Sequence, residues 1–273
     1  RFNPEMKTNF YALLVALFFI SGLNLSAQTY NEHDLTKLKA FMEQASGNKR
    51  NIDILWDNAP ATLSDDGSDW VSGLGGVVKW TNDGRLKYIE AKYKDLVGGI
   101  DFEDCGELVE IYLRNNKLTS LNVKGCAKLE MLYVCLNQIG SFNVEGCYKI
   151  REIASSGNTY AAIDLSNRAQ LTKLYLPANY NLSSLNVKGC SALKDLTFTK
   201  GHVSSIDLKD CTNLVSLECF GNKIASLDVS KSPKLKTLAI QHKDNISTYT
   251  NPLTSLNISG CQQLESYDFI AIF

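Results

Sequence analysis

One sequence pattern recurs nine times from Leu86 to the C-terminus, and it constrains the fold more than any other feature. The first positions of the copies are Leu86, Leu108, Leu129, Ile150, Leu171, Leu193, Leu214, Leu235 and Leu264. The spacing is 21 or 22 residues at seven of the eight steps and 29 residues at the last. A unit of this length buries its apolar side only against its neighbours, so the sequence predicts a solenoid of stacked coils.

Within each copy, apolar residues alternate with variable ones. The second copy shows the pattern as Leu108, Ile111, Leu113, Asn116, Leu118, Leu121, Val123 and Cys126. A period of two is typical of a β-strand, so the fourth and sixth positions should face the core and the third and fifth should face solvent. An asparagine at the ninth position can bond backbone groups that a turn leaves unpaired. That position is occupied by Asn116, Asn137, Asn158, Asn179 and Asn222, and is interrupted by Lys94, Gly201 and Lys243.

These motifs resemble the leucine-rich repeat family, in a short form similar to that of exported bacterial surface proteins. The resemblance covers residues 86–273 and implies a leucine-rich repeat solenoid of about nine repeats. Its parallel β-sheet is expected on the concave face, and its return segments are expected to be mostly non-helical, extended chain and turns. The segment before the repeats resembles the small α+β caps that often precede such arrays.

The N-terminus has the composition of an export signal. Residues 1–5 precede Met6 and are not expected to be a native start. A basic residue follows Met6, residues 10–23 form an apolar run of 14, and residues 25–27 provide a small-residue cleavage site. A signal peptide is therefore predicted at 6–27, with export to the cell surface, the periplasm or the medium. The alternative is a membrane anchor. A spanning helix needs roughly 20 apolar residues and this run is shorter, so no integral membrane span is expected after cleavage.

Residues 28–85 are predicted to form an N-terminal cap. Asn31 is a candidate N-cap for an amphipathic helix that ends at Gly47, and residues 81–84 form a turn signal for a hairpin leading into Leu86. The tryptophans of the chain all lie in this segment, at Trp56, Trp70 and Trp80. They either form a platform for a sugar or seal the open end of the core, and the exposed end of a solenoid favours sealing.

Six of the eight cysteines occupy one position of successive copies: Cys105, Cys126, Cys147, Cys190, Cys211 and Cys261. Equivalent positions of stacked coils form an interior column, where a free cysteine packs as a small apolar side chain. Disulfides are the alternative, but parallel Cβ vectors do not suit the disulfide dihedral, so buried free thiols are predicted. Cys219 is expected to face inward from its strand. Cys135 follows a strand on the solvent side and is predicted to be the reactive thiol.

The sequence does not indicate catalysis. It contains no nucleophile elbow, no phosphate-binding glycine loop and no zinc-protease helix. No metal and no cofactor are predicted, because there is no C-x-x-C pair and His33, His202 and His242 lie far apart in the chain. A net charge of −1 supplies no general field for nucleic acid. The chain is therefore predicted not to be an enzyme, with the cap as the remaining place for an undetected active site.

Binding is predicted instead on the face formed by the third, fifth, seventh and eighth positions. Tyrosines concentrate in the N-terminal half of this face, together with a methionine and two basic residues. The candidate binding patch comprises Tyr88, Tyr112, Arg114, Met131, Tyr133, Lys173 and Tyr175. Tyrosine and arginine are enriched at protein contacts. Aromatic residues also stabilise an exposed strand face by stacking on one another, and the sequence leaves both interpretations open.

Two further features lie near the C-terminus. The eighth copy has eight extra residues between Gln241 and Pro252, which predicts a surface loop that either borders the binding face or is merely tolerated. Residues 264–273 are largely apolar, whereas a solenoid needs a polar terminal cap. The C-terminal cap is therefore expected to be missing, through truncation or because a partner covers the last strand.

These observations lead to one functional hypothesis with two alternatives. The first is an exported, non-enzymatic module that binds a protein, or as a second candidate a glycan, through the concave face. The alternatives are a structural spacer of the cell envelope and the targeting arm of a larger protein. The resemblance implies binding without identifying a partner.

Overall fold

A computed structural model describes residues 29–241 and 250–268. The predicted signal peptide at 6–27, residues 242–249 of the expected loop and the last five residues lie outside this part of the chain. The described residues form a small N-terminal cap followed by stacked coils. None of the helices among them is long and apolar enough to cross a membrane.

The cap begins with helix α1 (Glu32–Glu43), where the Asn31 side chain accepts a hydrogen bond from a first-turn backbone amide at 3.2 Å. The predicted N-cap is thus confirmed. The helix ends at Glu43, four residues before Gly47, where the sequence predicted its end. Gly47 has a φ of +62° and instead forms the turn between strands β1 (Ala45–Ser46) and β2 (Lys49–Arg50), a conformation that glycine adopts without strain.

The rest of the cap leads into the main sheet. A short helix α2 (Asn51–Leu55) and a 3₁₀ turn (Val71–Leu74) precede strand β3 (Val78–Trp80). Strand β3 then pairs antiparallel with β4 (Leu86–Glu90), so the predicted hairpin is confirmed.

The tryptophans pack in or against the core. Trp70 is fully buried, and its indole nitrogen donates to the Ser64 carbonyl at 2.9 Å. Trp56 and Trp80 are partly buried against the same core, and Trp80 lies 4.6 Å from the Tyr30 ring between centroids. These positions support sealing of the open end of the solenoid rather than a sugar platform.

Among the described residues, the main sheet has ten strands. After β3 and β4, it continues with one parallel strand from each coil. These strands are β6 (Glu110–Tyr112), β8 (Met131–Tyr133), β10 (Glu152–Ala154), β12 (Lys173–Tyr175), β14 (Asp195–Thr197), β15 (Ser216–Glu218), β17 (Thr237–Ala239) and β19 (Ser266–Asp268). Equivalent positions pair in register, as Leu132 does with Ile111 and Ile153. From β6 to β17 the central residue of each strand is buried between two less buried ones, which confirms the predicted alternation.

The return segments contain short strands and, among the described residues, no helix. They form three small parallel sheets. These consist of β5 (Val97–Asp101), β7 (Lys117–Asn122) and β9 (Ser141–Asn143); of β11 (Ala162–Asp164) and β13 (Ser184–Asn186); and of β16 (Ser226–Asp228) and β18 (Ser255–Asn257). The predicted solenoid with non-helical return segments is therefore confirmed.

Buried asparagine amides join each coil to its neighbours. The Asn137 nitrogen donates to the Leu113 carbonyl of the preceding coil at 3.0 Å and to Val134 at 3.1 Å. Its oxygen accepts from the Leu118 amide at 3.0 Å. The same donation to a carbonyl of the preceding coil occurs at Asn116, Asn158, Asn179 and Asn222. The predicted asparagine ladder is thus confirmed.

The ladder has a further member that the repeat spacing missed. Asn251 is buried, donates to the Cys219 carbonyl at 2.9 Å and accepts from the Ile224 amide at 3.1 Å. It takes the ninth position of the eighth coil, where Lys243 was expected to interrupt the ladder. The extra residues of this copy come before the asparagine, so counting from the first position fails. The Asn-x-Leu spacing to Leu253 is the sequence signal that identifies it.

Candidate binding face

The main sheet places the predicted tyrosines on its solvent-facing side. Tyr112, Tyr133 and Tyr175 end strands β6, β8 and β12, each beside a buried central residue. Tyr88 lies in β4, directly before the buried Ile89. Side chains that flank buried residues of one sheet project from the same face. We call this surface the binding face.

Three of these tyrosines form a continuous row of ring contacts, which we call the tyrosine ladder. The ring centroids of Tyr88 and Tyr112 lie 5.8 Å apart with planes tilted by 51°. Those of Tyr112 and Tyr133 lie 5.1 Å apart with planes 21° from parallel. Both distances fall in the range of favourable aromatic pairs, so the ladder holds its rings in fixed orientations.

Each hydroxyl of the tyrosine ladder has a carboxylate partner. Tyr88 donates to Glu90 and Tyr133 donates to Glu152. Burial, followed by the hydrogen bond to Glu110, raises the pKa of Tyr112 to about 12. Burial and the carboxylate bonds also raise the pKa values of Tyr88 and Tyr133. The three hydroxyls therefore remain protonated donors at neutral pH.

Cations lie over several tyrosine rings at the N-terminal end of the binding face. The Lys79 amine lies 4.4 Å from the Tyr88 ring centre, and the Lys92 amine lies 5.5 Å from that of Tyr112. The Arg114 guanidinium lies 4.8 Å over the ring of Tyr93. Such cation–π contacts orient long basic side chains around the aromatic centre.

The structure does not bring all predicted residues together. Met131 lies half-buried between Glu110 and Glu152 in the adjacent strands, at the edge of the tyrosine ladder. Lys173 and Tyr175 lie in β12, two strands from β8. In the strand between them, Ala154 occupies the position that separates Tyr133 from Tyr175. The predicted patch is thus a stacked group with a separate outlying pair.

Sequence reasoning omitted six residues that belong to this arrangement, and two of them are Lys79 and Lys92, whose amines lie over tyrosine rings. The carboxylates of Glu90, Glu110 and Glu152 bond the tyrosine hydroxyls, and Tyr93 carries the Arg114 guanidinium. The three glutamates occupy third or fifth positions, so the repeat spacing already placed them on this face. Tyr93 occupies the eighth position of the first copy, which the repeat spacing also places on this face, and its φ is 58°.

All eight cysteines are free. Within the cysteine column, each thiol after the first donates a hydrogen bond to a backbone carbonyl of the preceding coil, as Cys147 does to Val123 at 3.1 Å. Burial raises the pKa of Cys190 to about 11. It raises the pKa to about 12 at Cys105, Cys147, Cys211 and Cys219. Cys135 and Cys261 are only partly buried. The cysteine column is therefore more accessible to solvent at Cys261 than the sequence predicted, because no described coil covers that end.

Thiol labelling under native conditions should separate these environments. We expect Cys135 to react first and Cys261 next, with the six buried thiols at least about 100-fold slower, because both access and thiolate fraction are low. The measurement is mass spectrometry of alkylated peptides over time. Removing Cys135 by C135S should abolish the fastest phase. Rapid modification of two or more buried thiols in the folded protein would contradict the buried column.

A second cluster of polar groups lies between the cap and the first coil. His33, Asp34 and Cys105 place ligand-type atoms within 4.8 Å of one another, although the histidines are dispersed in the sequence. The Asp34 carboxylate accepts from the Arg85 guanidinium at 2.8 and 3.1 Å and from the Leu86 amide at 2.8 Å. A metal ion here would meet a positive guanidinium and a protonated thiol. The arrangement therefore favours a structural junction over a metal site.

Comparison with known proteins adds three similar structures from Listeria monocytogenes. No protein-family model matches the sequence, and no curated protein matches it. The functional domain of InlJ, described as including a cysteine ladder, is 19% identical with a TM-score of 0.42, over 66% of this chain and 54% of that one. Internalin C2 is 15% identical with a TM-score of 0.44, over 88% and 96%. Internalin InlF is 14% identical with a TM-score of 0.32, over 91% and 100%.

The chain spans about half of the InlJ domain, and all three identities are low. The assignment of the fold therefore rests on the chain itself. Its nine copies place one parallel strand each in a single sheet, and buried asparagine amides close successive coils in the same way. On this evidence the chain has the fold of a leucine-rich repeat solenoid.

Proposed function

We propose that this chain is an exported, non-enzymatic module that binds a protein through the binding face. The observation that carries the proposal is the tyrosine ladder, in which three half-buried rings contact one another in a row and their hydroxyls are held by carboxylates. Rings that are already oriented lose little conformational entropy on binding. Tyrosine and arginine are also the residues that most often dominate protein-contact energies.

The surroundings of the ladder favour a protein partner. Lys79, Lys92 and Arg114 lie around the aromatic centre, and Met131 adds an adaptable apolar contact. An aromatic centre with a polar rim is the usual anatomy of a protein interface. Export is supported by the signal-peptide composition of residues 6–27, which would place this face at the cell surface, in the periplasm or in the medium.

The proposal is tested by retention of extracellular and surface proteins on the immobilised full chain. We expect Tyr112→Ala combined with Tyr133→Ala to reduce retention of the bound protein at least about tenfold, because two central aromatic contacts are lost. The matched control is Tyr148→Ala with Tyr180→Ala, since these tyrosines are 60% and 57% exposed outside the main sheet. It should retain the partner as wild type does.

Equal retention by the two double variants would contradict binding through this face. Retained material that survives protease digestion but is lost after periodate oxidation would overturn the assignment to a protein and identify a glycan instead.

A further inference from the structure

The tyrosine ladder ends at a gap over Ala154. In the sheet register, Ala154 lies beside Tyr133 on one side and Tyr175 on the other. The backbones that carry these two rings are therefore two strand spacings, about 9.6 Å, apart. A flat group that contacts both rings at carbon distances of about 3.5–4.0 Å needs about 7–8 Å between them. We call the space over Ala154, between the positions of Tyr133 and Tyr175 in the register, the Ala154 slot.

The row of side chains beside the Ala154 slot is predominantly acidic. Its third-position residues include three carboxylates, Glu110, Glu152 and Asp195, against one amine, Lys173. Glu152 lies on the same strand as Ala154 and accepts a hydrogen bond from the Tyr133 hydroxyl. An ionised carboxylate has further acceptor sites. The slot thus has the Glu152 carboxylate at its side, with Lys173 as the register partner of Glu152, and a tyrosine at each end.

The protein already holds cations over tyrosines on this face. Lys79 lies over Tyr88, and the Arg114 guanidinium lies over Tyr93. Tyr175 is 43% exposed, and the described residues place neither an aromatic ring nor a cation over it. At the N-terminal end of the face, the protein's own basic residues supply the cations over the tyrosine rings. At the slot, a partner can supply the cation over Tyr175.

We propose that the Ala154 slot binds an arginine side chain of the protein partner. This inference rests on the proposed function and specifies the chemistry of one contact. A guanidinium is flat, so it stacks between Tyr133 and Tyr175, and it is always positive, so it is attracted by both ring faces. Its fork of N–H donors matches the Glu152 carboxylate. A lysine ammonium does not stack, and a neutral ring leaves the carboxylate unused.

The test is an NMR titration of the full chain with three blocked tripeptides, Gly-Arg-Gly, Gly-citrulline-Gly and Gly-Lys-Gly. Citrulline keeps the shape of arginine without its charge. We expect the arginine peptide to bind at least about fivefold more tightly than the other two, with saturable shifts at Ala154 and its neighbours. Absence of saturable shifts, or equal affinity for the citrulline peptide, would overturn the inference.

Filling the slot provides a matched pair of variants. Ala154→Tyr should weaken the arginine peptide at least about tenfold, because a ring then occupies the space between Tyr133 and Tyr175. Ala239→Tyr adds the same ring at the equivalent position of β17, away from the slot, and should leave binding unchanged. Both variants should first show wild-type unfolding midpoints. Equal effects of the two substitutions would contradict a site at Ala154.

The outcomes also separate this inference from the proposed function. If retention of the partner requires Tyr112 and Tyr133 but is unaffected by Ala154→Tyr, the slot proposal fails and the binding face stands. If retention survives loss of Tyr112 and Tyr133, the binding face itself fails.

Discussion

Replacing Asp34 with alanine is expected to destabilise the cap by about 3 kcal/mol, because a buried amide and a charged guanidinium lose their shared acceptor. The Asp34 carboxylate is fully buried and accepts three hydrogen bonds, two from Arg85 and one from the Leu86 amide. It therefore joins helix α1 to the first strand of the array. In the variant, the Leu86 amide loses its acceptor in the buried interior, and the Arg85 guanidinium, whose side chain is 28% exposed, loses its carboxylate partner.

Urea unfolding followed by tryptophan fluorescence measures this effect, because Trp56, Trp70 and Trp80 all lie in the cap. The cap signal of the Asp34 variant should change at markedly lower urea concentration than in wild type. The control is Asp65→Ala, which removes an ion pair with Lys39 that lies in solvent. It should leave the transition unchanged. A shift in the Asp34 variant no larger than in this control would contradict the junction.

Replacing Asn137 with alanine is expected to lower the free energy of unfolding by about 3 kcal/mol, because buried polar groups lose their partner. The Leu118 amide loses its hydrogen-bond acceptor, the side-chain oxygen of Asn137. The Leu113 and Val134 carbonyls each lose one donor. Those carbonyls keep a second amide donor, from Asn116 and Asn158 respectively. The unpaired Leu118 amide should therefore account for most of the loss.

Circular dichroism during urea unfolding tests the Asn137 prediction. The matched control is Asn181→Ala, whose side chain is exposed and donates to the Thr159 carbonyl at 3.1 Å. Solvent can replace that bond, so the control should differ from wild type by less than about 0.5 kcal/mol. Similar losses in the two variants would show that the asparagine ladder does not stabilise the coils.

The repeat predicted the interior of the array well because interior positions have little freedom. A buried strand residue such as Leu132 must match Ile111 and Ile153 in register, and Asn137 must meet the same backbone groups in every coil. Asn251 escaped prediction because extra residues displace it from the regular spacing. Counting positions fails wherever the length of a coil changes.

The surface was less predictable for a different physical reason. Spacing placed Tyr112 and Tyr133 on one face, but the stacking of their rings depends on side-chain rotamers. Spacing also grouped Tyr175 with them, whereas Ala154 separates it. The Asp34–Arg85 pair joins residues 51 positions apart through side chains alone. Contacts of this kind follow from the packing of the folded chain and leave no periodic signal.

The affinity of the retained partner tests most directly whether the tyrosine ladder forms the contact surface. The dissociation constant should rise at least about 30-fold when Tyr112 and Tyr133 are both replaced by alanine, which corresponds to a loss of about 2 kcal/mol. It should stay within about twofold of wild type when Tyr148 and Tyr180 are replaced instead. Equal dissociation constants for wild type and the Tyr112/Tyr133 variant would contradict the claim.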